Sequence, residues 1–107
     1  MDSFKQREAD FEKRLAHDEA LRFKTRARRN KLLGLWVAEQ IGLKDEAANA
    51  YANALVEKNV GSDDDKALAK TLGEVLALAK QDISAHRVMR KIEETAARAK
   101  TEISEGR

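Results

Sequence analysis

The residues through which this chain could do chemistry are two histidines, some paired carboxylates, a run of three aspartates and a block of six cations. His17 and His86 are the two imidazoles. A zinc site would need both brought together with further ligands, and nothing in their spacing provides that. Asp18/Glu19 and Glu93/Glu94 are adjacent carboxylates, but neighbouring residues on a helix point apart and cannot share one substrate. Asp63, Asp64 and Asp65 lack the alternating oxygens and the glycine of a Ca²⁺ loop. Ser62 to Asp65 reads instead as a helix cap, with Asp65 as the capping-box acid three residues after Ser62. Gly34-Leu35-Trp36 lies inside a helical pattern and is no phosphate loop. The expectation is a protein that is not an enzyme, with no metal and no cofactor.

The cations run from Arg22 to Lys31 (RFKTRARRNK) without an intervening acid. Three readings are open: a solvated helix face, a phosphate-binding strip with Phe23 or Trp36 as a stacking partner, or a surface for an acidic protein. Phe23 and Trp36 both sit at helical spacings that suit a core better than a base-stacking platform. Residues 1–31 also carry six carboxylates, which weaken a phosphate-tracking arm. The phosphate reading, a small helical nucleic-acid or nucleotide-binding protein using residues 22–31, therefore ranks last and stands as the alternative.

A different feature carries more information. Before Leu21 the large apolar side chains are Phe4, Phe11 and Leu15. At 100° per residue these three share one narrow stripe. Such a stripe is too thin to anchor a helix on the chain's own core, but it suits the groove of a partner. Backbone ordering costs about 1–2 kcal/mol per residue, more than three side chains offset. Residues 1–17 are therefore expected to form a flexible arm that becomes helical on binding.

The remaining elements must hold that arm. The chain has 107 residues, five glycines, no proline and no cysteine, with 37% charged and 5% aromatic residues. This composition predicts an all-α fold, a four-helix bundle over residues 18–107 with a flexible N-terminal arm. The first core helix is expected to begin near Asp18 and to pass Gln40, with Gly42 as a left-handed C-terminal residue. Asp45 is the expected N-cap of the second, which runs to about Asn59 and buries Ala48, Tyr51, Leu55 and Val56. The third has its stripe at Leu68, Leu72, Val75, Leu76 and Ala79. The fourth alternates at Ala85, Met89, Ile92, Ala96, Ala99 and Ile103. Ser84 is a fair N-cap between them, although the last two helices could also form one kinked rod. The core is expected around Trp36, Tyr51, Leu72, Leu76 and Ile92, with Trp36 buried and central. Gly34 should cost about 1 kcal/mol against alanine unless another helix approaches it closely.

No apolar run approaches the ~20 residues of a membrane span, and the acids at Asp2, Glu8 and Asp10 do not suit a secretory signal. The absence of cysteine fits a reducing compartment. The expectation is a soluble, cytoplasmic protein.

One stretch is similar to something known. Phe11 to Trp36, read through as FEKRLAHDEALRFKTRARRNKLLGLW, resembles the zeta-subunit family of alphaproteobacterial ATP synthases. The later DEAANAYANALV and the SDDD before the third helix resemble the same family, so the likeness covers essentially the whole chain. Leu15 stands where an aromatic would be expected. The resemblance implies an inhibitor of ATP hydrolysis by the catalytic head of ATP synthase, with alpha, beta and gamma subunits as partners. It implies that the N-terminal segment inserts as a helix between catalytic subunits while the bundle stays outside. Carried over by position, Phe4, Phe11 and Leu15 would be apolar anchors, and Arg7, Lys13 and Arg14 charge contacts. A monomer when free, on the cytoplasmic side of the inner membrane through ATP synthase, completes the expectation.

Overall fold

The computed structural model describes residues 2–106. Four helices follow one another, α1 (Asp2–Gln40), α2 (Asp45–Lys58), α3 (Asp65–Leu78) and α4 (Ala85–Ser104), and no strand lies among the described residues. The all-α bundle expected from composition is thus what the chain adopts. Met1 and Arg107, the outer ends of the two expected segments, lie outside the described residues.

The first difference from the sequence reading is where α1 begins. It starts at Asp2 rather than near Asp18 and passes without a break through residues 17 and 18. No proline or glycine interrupts residues 2–33, so no local signal ends the helix there. At 1.5 Å per residue its 39 residues span about 58 Å, most of the 66 Å length of the molecule. The N-terminal turns project past the bundle, and every residue from Ser3 to Lys24 is exposed.

The helix ends at the expected glycine. Gly42 has φ 86°, and the Leu43 and Gly42 amides donate to the carbonyls of Ala38 and Glu39, at 2.8 and 3.2 Å. This pair of bonds satisfies carbonyls that α1 leaves open. α3 ends in the same way, but with Lys80 at φ 60° in place of a glycine. Gln81 and Lys80 donate to Leu76 and Ala77 at 2.9 Å each. That turn separates α3 from α4, so the two are not one rod. Ser84 caps α4 as expected, its hydroxyl accepting from the Arg87 amide at 3.1 Å.

Two caps move by a residue or more. Asp45 is the first residue of α2, not its cap; Lys44 holds the cap position without a side-chain bond. At α3 the cap is Asp64, which accepts from the Ala67 amide at 3.0 Å, rather than Ser62. Its neighbours Asp63 and Asp65 serve another purpose, described below.

α1 is the spine of the bundle: α2 and α4 pack along it, and α3 lies on α4. The core is Leu33 and Val37 of α1, Leu55 of α2, Leu68, Leu72 and Leu76 of α3, and Val88 and Ile92 of α4. Trp36 and Tyr51, expected at the centre, are half-buried at its edge. Trp36 faces α4, where the Lys91 ammonium stands 5.7 Å from its ring centroid. Partial burial raises the pKa of the Tyr51 phenol, because desolvation penalises its anion.

The α4 face is also rotated from the expected one. Val88, Ile92, Thr95, Ala99 and Glu102 are buried, Met89, Ala96 and Ile103 are half-buried, and Ala85 is exposed. A reading by apolarity excludes Thr95 and Glu102, but both are satisfied. The Thr95 hydroxyl donates within its own helix, to the carbonyls of Lys91 and Ile92. Glu102 accepts from Arg28 at 3.1 Å and Arg98 at 2.9 Å. The expected close approach at Gly34 is present: a Cβ there would stand 2.7 Å from the Ala52 Cα. Glycine is what allows α2 to cross α1 at that point.

Candidate functional site

The stripe of the arm is real and bare. Phe4, Phe11 and Leu15 are 73%, 64% and 50% exposed on the projecting turns of α1. The three charged candidates are exposed on the same turns but do not share one face. At 100° per residue Arg7 and Arg14 flank the stripe within about 80°, whereas Lys13 falls roughly opposite to it. A single groove could therefore take the apolar residues with Arg7 and Arg14, and Lys13 would need a second surface.

The stripe also has a fixed relation to the bundle. Residues eighteen apart on an α-helix are about five full turns apart and point the same way. Phe4, Phe11 and Leu15 thus stand above Arg22, Arg29 and Leu33, roughly 27 Å further along. Arg29 and Leu33 are buried, at 6% and 0% exposure. The arm's apolar line is therefore the outward continuation of the line by which α1 meets its own core.

Between the two lies the basic stretch, and here the structure narrows the three readings. Four of its six cations are engaged within the protein. The Arg26 guanidinium donates to the Ser62 carbonyl at 3.1 Å and pairs with Asp63. Arg29 donates to Asp65 at 2.7 Å, and through Nε to Asn30 at 3.0 Å. Arg28 holds Glu102 of α4, and the Lys31 ammonium donates to Asn53 of α2 at 2.6 Å. The loop after α2 and the end of α4 are thus clasped to α1 where the arm leaves the bundle. Sequence reasoning missed these partners because it treated residues 62–65 as a cap alone. The usable signal was charge: an uninterrupted cationic run and an uninterrupted acidic one, brought side by side when α2 folds back antiparallel to α1.

Phe23 is not a core residue as its spacing suggested; it is 55% exposed. It lines a groove with Ala27, Val56 and Val60 between α1 and the end of α2. A second groove runs between α1 and the last turns of α4, lined by Leu21, Arg22, Thr25, Ala96, Lys100 and Ile103 among others. His17 and His86 are both exposed, on α1 and α4, and no group of three or more potential metal-ligating side chains occurs among the described residues. No helix among the described residues is long and apolar enough to cross a membrane.

A bare apolar line on a projecting helix, with charged neighbours and a bundle that holds its base, is a geometry that can engage the groove of another protein. No curated protein and no solved structure matches the chain. The match comes from a family model, that of the ATPase inhibitor subunit zeta, which covers residues 1–102, and the chain belongs to this family.

Proposed function

We propose that this protein inhibits ATP hydrolysis by the catalytic head of an ATP synthase, and that the projecting turns of α1 enter between catalytic subunits as a helix. Family membership supports the inhibitory role and an ATP synthase as the partner. The single observation that carries the arm as the inhibitory element is the exposure of Phe4, Phe11 and Leu15 on turns that nothing in the bundle covers. A helix so placed gains little from its own protein, so its apolar line is available to a groove in the alpha, beta and gamma assembly. Residues 1–17 act as the arm, and 18–107 as the holder that stays outside. The ordering of the arm is coupled to binding, because solvent-exposed turns offset little of the entropy that a partner can repay. The protein acts as a monomer with no cofactor, reaching the membrane surface through the synthase.

The nucleic-acid alternative has little left to draw on. Four of the six cations from Arg22 to Lys31 are held by side chains or carbonyls of the same chain, and Arg22 and Lys24 are what is left. Steady-state ATP hydrolysis by the purified cognate head, titrated with full-length protein and with the Phe4→Ala/Phe11→Ala double variant, tests the reading. Full-length protein should inhibit, and the double variant should need at least about tenfold more protein, as for the loss of buried aromatic anchors. Equal inhibition by the two would move the inhibitory element out of the arm.

A further inference from the structure

The arm and the end of the bundle make one continuous surface. We propose that the groove between α1 and the last turns of α4 seats an acidic, apolar-edged segment of the same ATP synthase head that the arm enters. This rests on the arm reading above and extends it to the holder.

The register supplies the first part of the argument. Because Phe4, Phe11 and Leu15 stand in line with Arg22, Arg29 and Leu33, a body lying along the stripe lies on the core-facing side of α1. On that side the bundle begins abruptly, where α4 ends at Ser104. α4 runs antiparallel to α1, with Arg28 opposite Glu102 and Trp36 opposite Lys91. A partner covering the arm's stripe therefore occupies the space into which α4 would extend, and its edge meets the final turn of that helix. The bundle cannot remain remote from a partner so placed.

Charge supplies the second part. The groove holds apolar surface from Leu21, Ala96 and Ile103, four cations, Arg22, Arg26, Arg29 and Lys100, and two carboxylates, Asp18 and Asp65. Arg26 and Arg29 are paired with Asp63 and Asp65, whereas Arg22 and Lys100 have no ion pair among the described residues. Leu21 is 38% exposed and Ile103 is half-buried, so the apolar floor is accessible. Two free cations at the rim of an apolar groove fit a partner carrying carboxylates beside apolar side chains.

The chain has no cysteine, so single cysteines can be introduced without background. Three charge-reversal variants, Arg22→Glu, Lys100→Glu and, at the far end of the bundle, Lys44→Glu, are titrated against hydrolysis by the purified head, beside Phe4→Ala/Phe11→Ala. Circular dichroism and thermal melting are followed for each. Ser104→Cys and Lys44→Cys carry a photocrosslinker for direct contact. Arg22→Glu and Lys100→Glu should each raise the half-inhibitory concentration about tenfold with unchanged melting, Lys44→Glu should leave it unchanged, and position 104 alone should crosslink to the head. If both reversals inhibit like the parent protein while the phenylalanine variant fails, the groove is not part of the interface and the arm reading stands. If position 104 crosslinks to a second copy of this chain instead, the occupant is wrong. If the phenylalanine variant also inhibits normally, the arm reading fails and this inference falls with it.

Discussion

The two halves of α1 make an instructive pair. Residues 3–24 and 25–40 belong to one uninterrupted helix and share the same angular line, yet one half is bare and the other is wrapped by α2 and α4. Both halves are free of helix breakers except Gly34, so local preference does not separate them. What separates them is partners. Leu33 and Val37 are fully buried, whereas Phe4 and Phe11, of equal or greater size, face solvent. Most helical stability in a protein comes from packing of an apolar face rather than from propensity. One half of α1 therefore stabilises the fold, and the other adds little to it.

That contrast can be broken most sharply by truncation. Deleting residues 1–17 should abolish inhibition of ATP hydrolysis while leaving the circular dichroism melt of the bundle nearly unchanged. If the truncated protein inhibits as well as the full chain, the roles of the two halves are reversed. The next largest effect should separate them kinetically. Amides of residues 4–15 should exchange with deuterium at nearly the rate of an unfolded chain, and those around Leu33 and Val37 should approach global protection. Equal protection in both regions would show that the arm is stable without a partner.

Core substitutions sharpen the clothed half. Leu33→Ala should destabilise by about 2–5 kcal/mol in denaturant unfolding, the range for a fully buried leucine. Trp36→Ala should cost less than its size would suggest, because part of its surface stays in water. The full cost of a buried tryptophan would restore it to the centre of the core. At the clasp between the halves, the two partners of one ion pair should differ. Asp65→Ala leaves the buried Arg29 guanidinium with Asn30 alone, at a cost of roughly 1–3 kcal/mol. Arg29→Asn would leave an aspartate that solvent can reach, so its electrostatic share should be smaller. The smallest expected change is a gain. Lys80→Gly relieves a non-glycine residue at φ 60° and should stabilise by up to about 1 kcal/mol, read as a small rise in unfolding midpoint.

Much of this was legible from residue order alone. Composition and punctuation sufficed for an all-α chain of four helices, with Gly42 ending the first and Ser84 capping the last. Backbone geometry at such points depends on one or two residues and needs no distant partner. The stripe of Phe4, Phe11 and Leu15 was equally readable, because helical periodicity is local. The close crossing at Gly34 followed from the penalty glycine carries in a helix unless something approaches it.

What tertiary structure decided was which face won and who paired with whom. α4 buries Thr95 and Glu102 because hydrogen bonds and two arginines satisfy them, and apolarity cannot foresee that. Trp36 moves to the rim, since burial depends on which neighbours arrive and not on side-chain size. Asp63 and Asp65, separated from Arg26 and Arg29 by an entire helical hairpin, become their partners because α2 folds back along α1. Sequence fixes what is local in distance along the chain: turns, caps, periodicity and the sum of charges. Long-range pairing is decided by the folded geometry, where burial and desolvation make each contact depend on all the others.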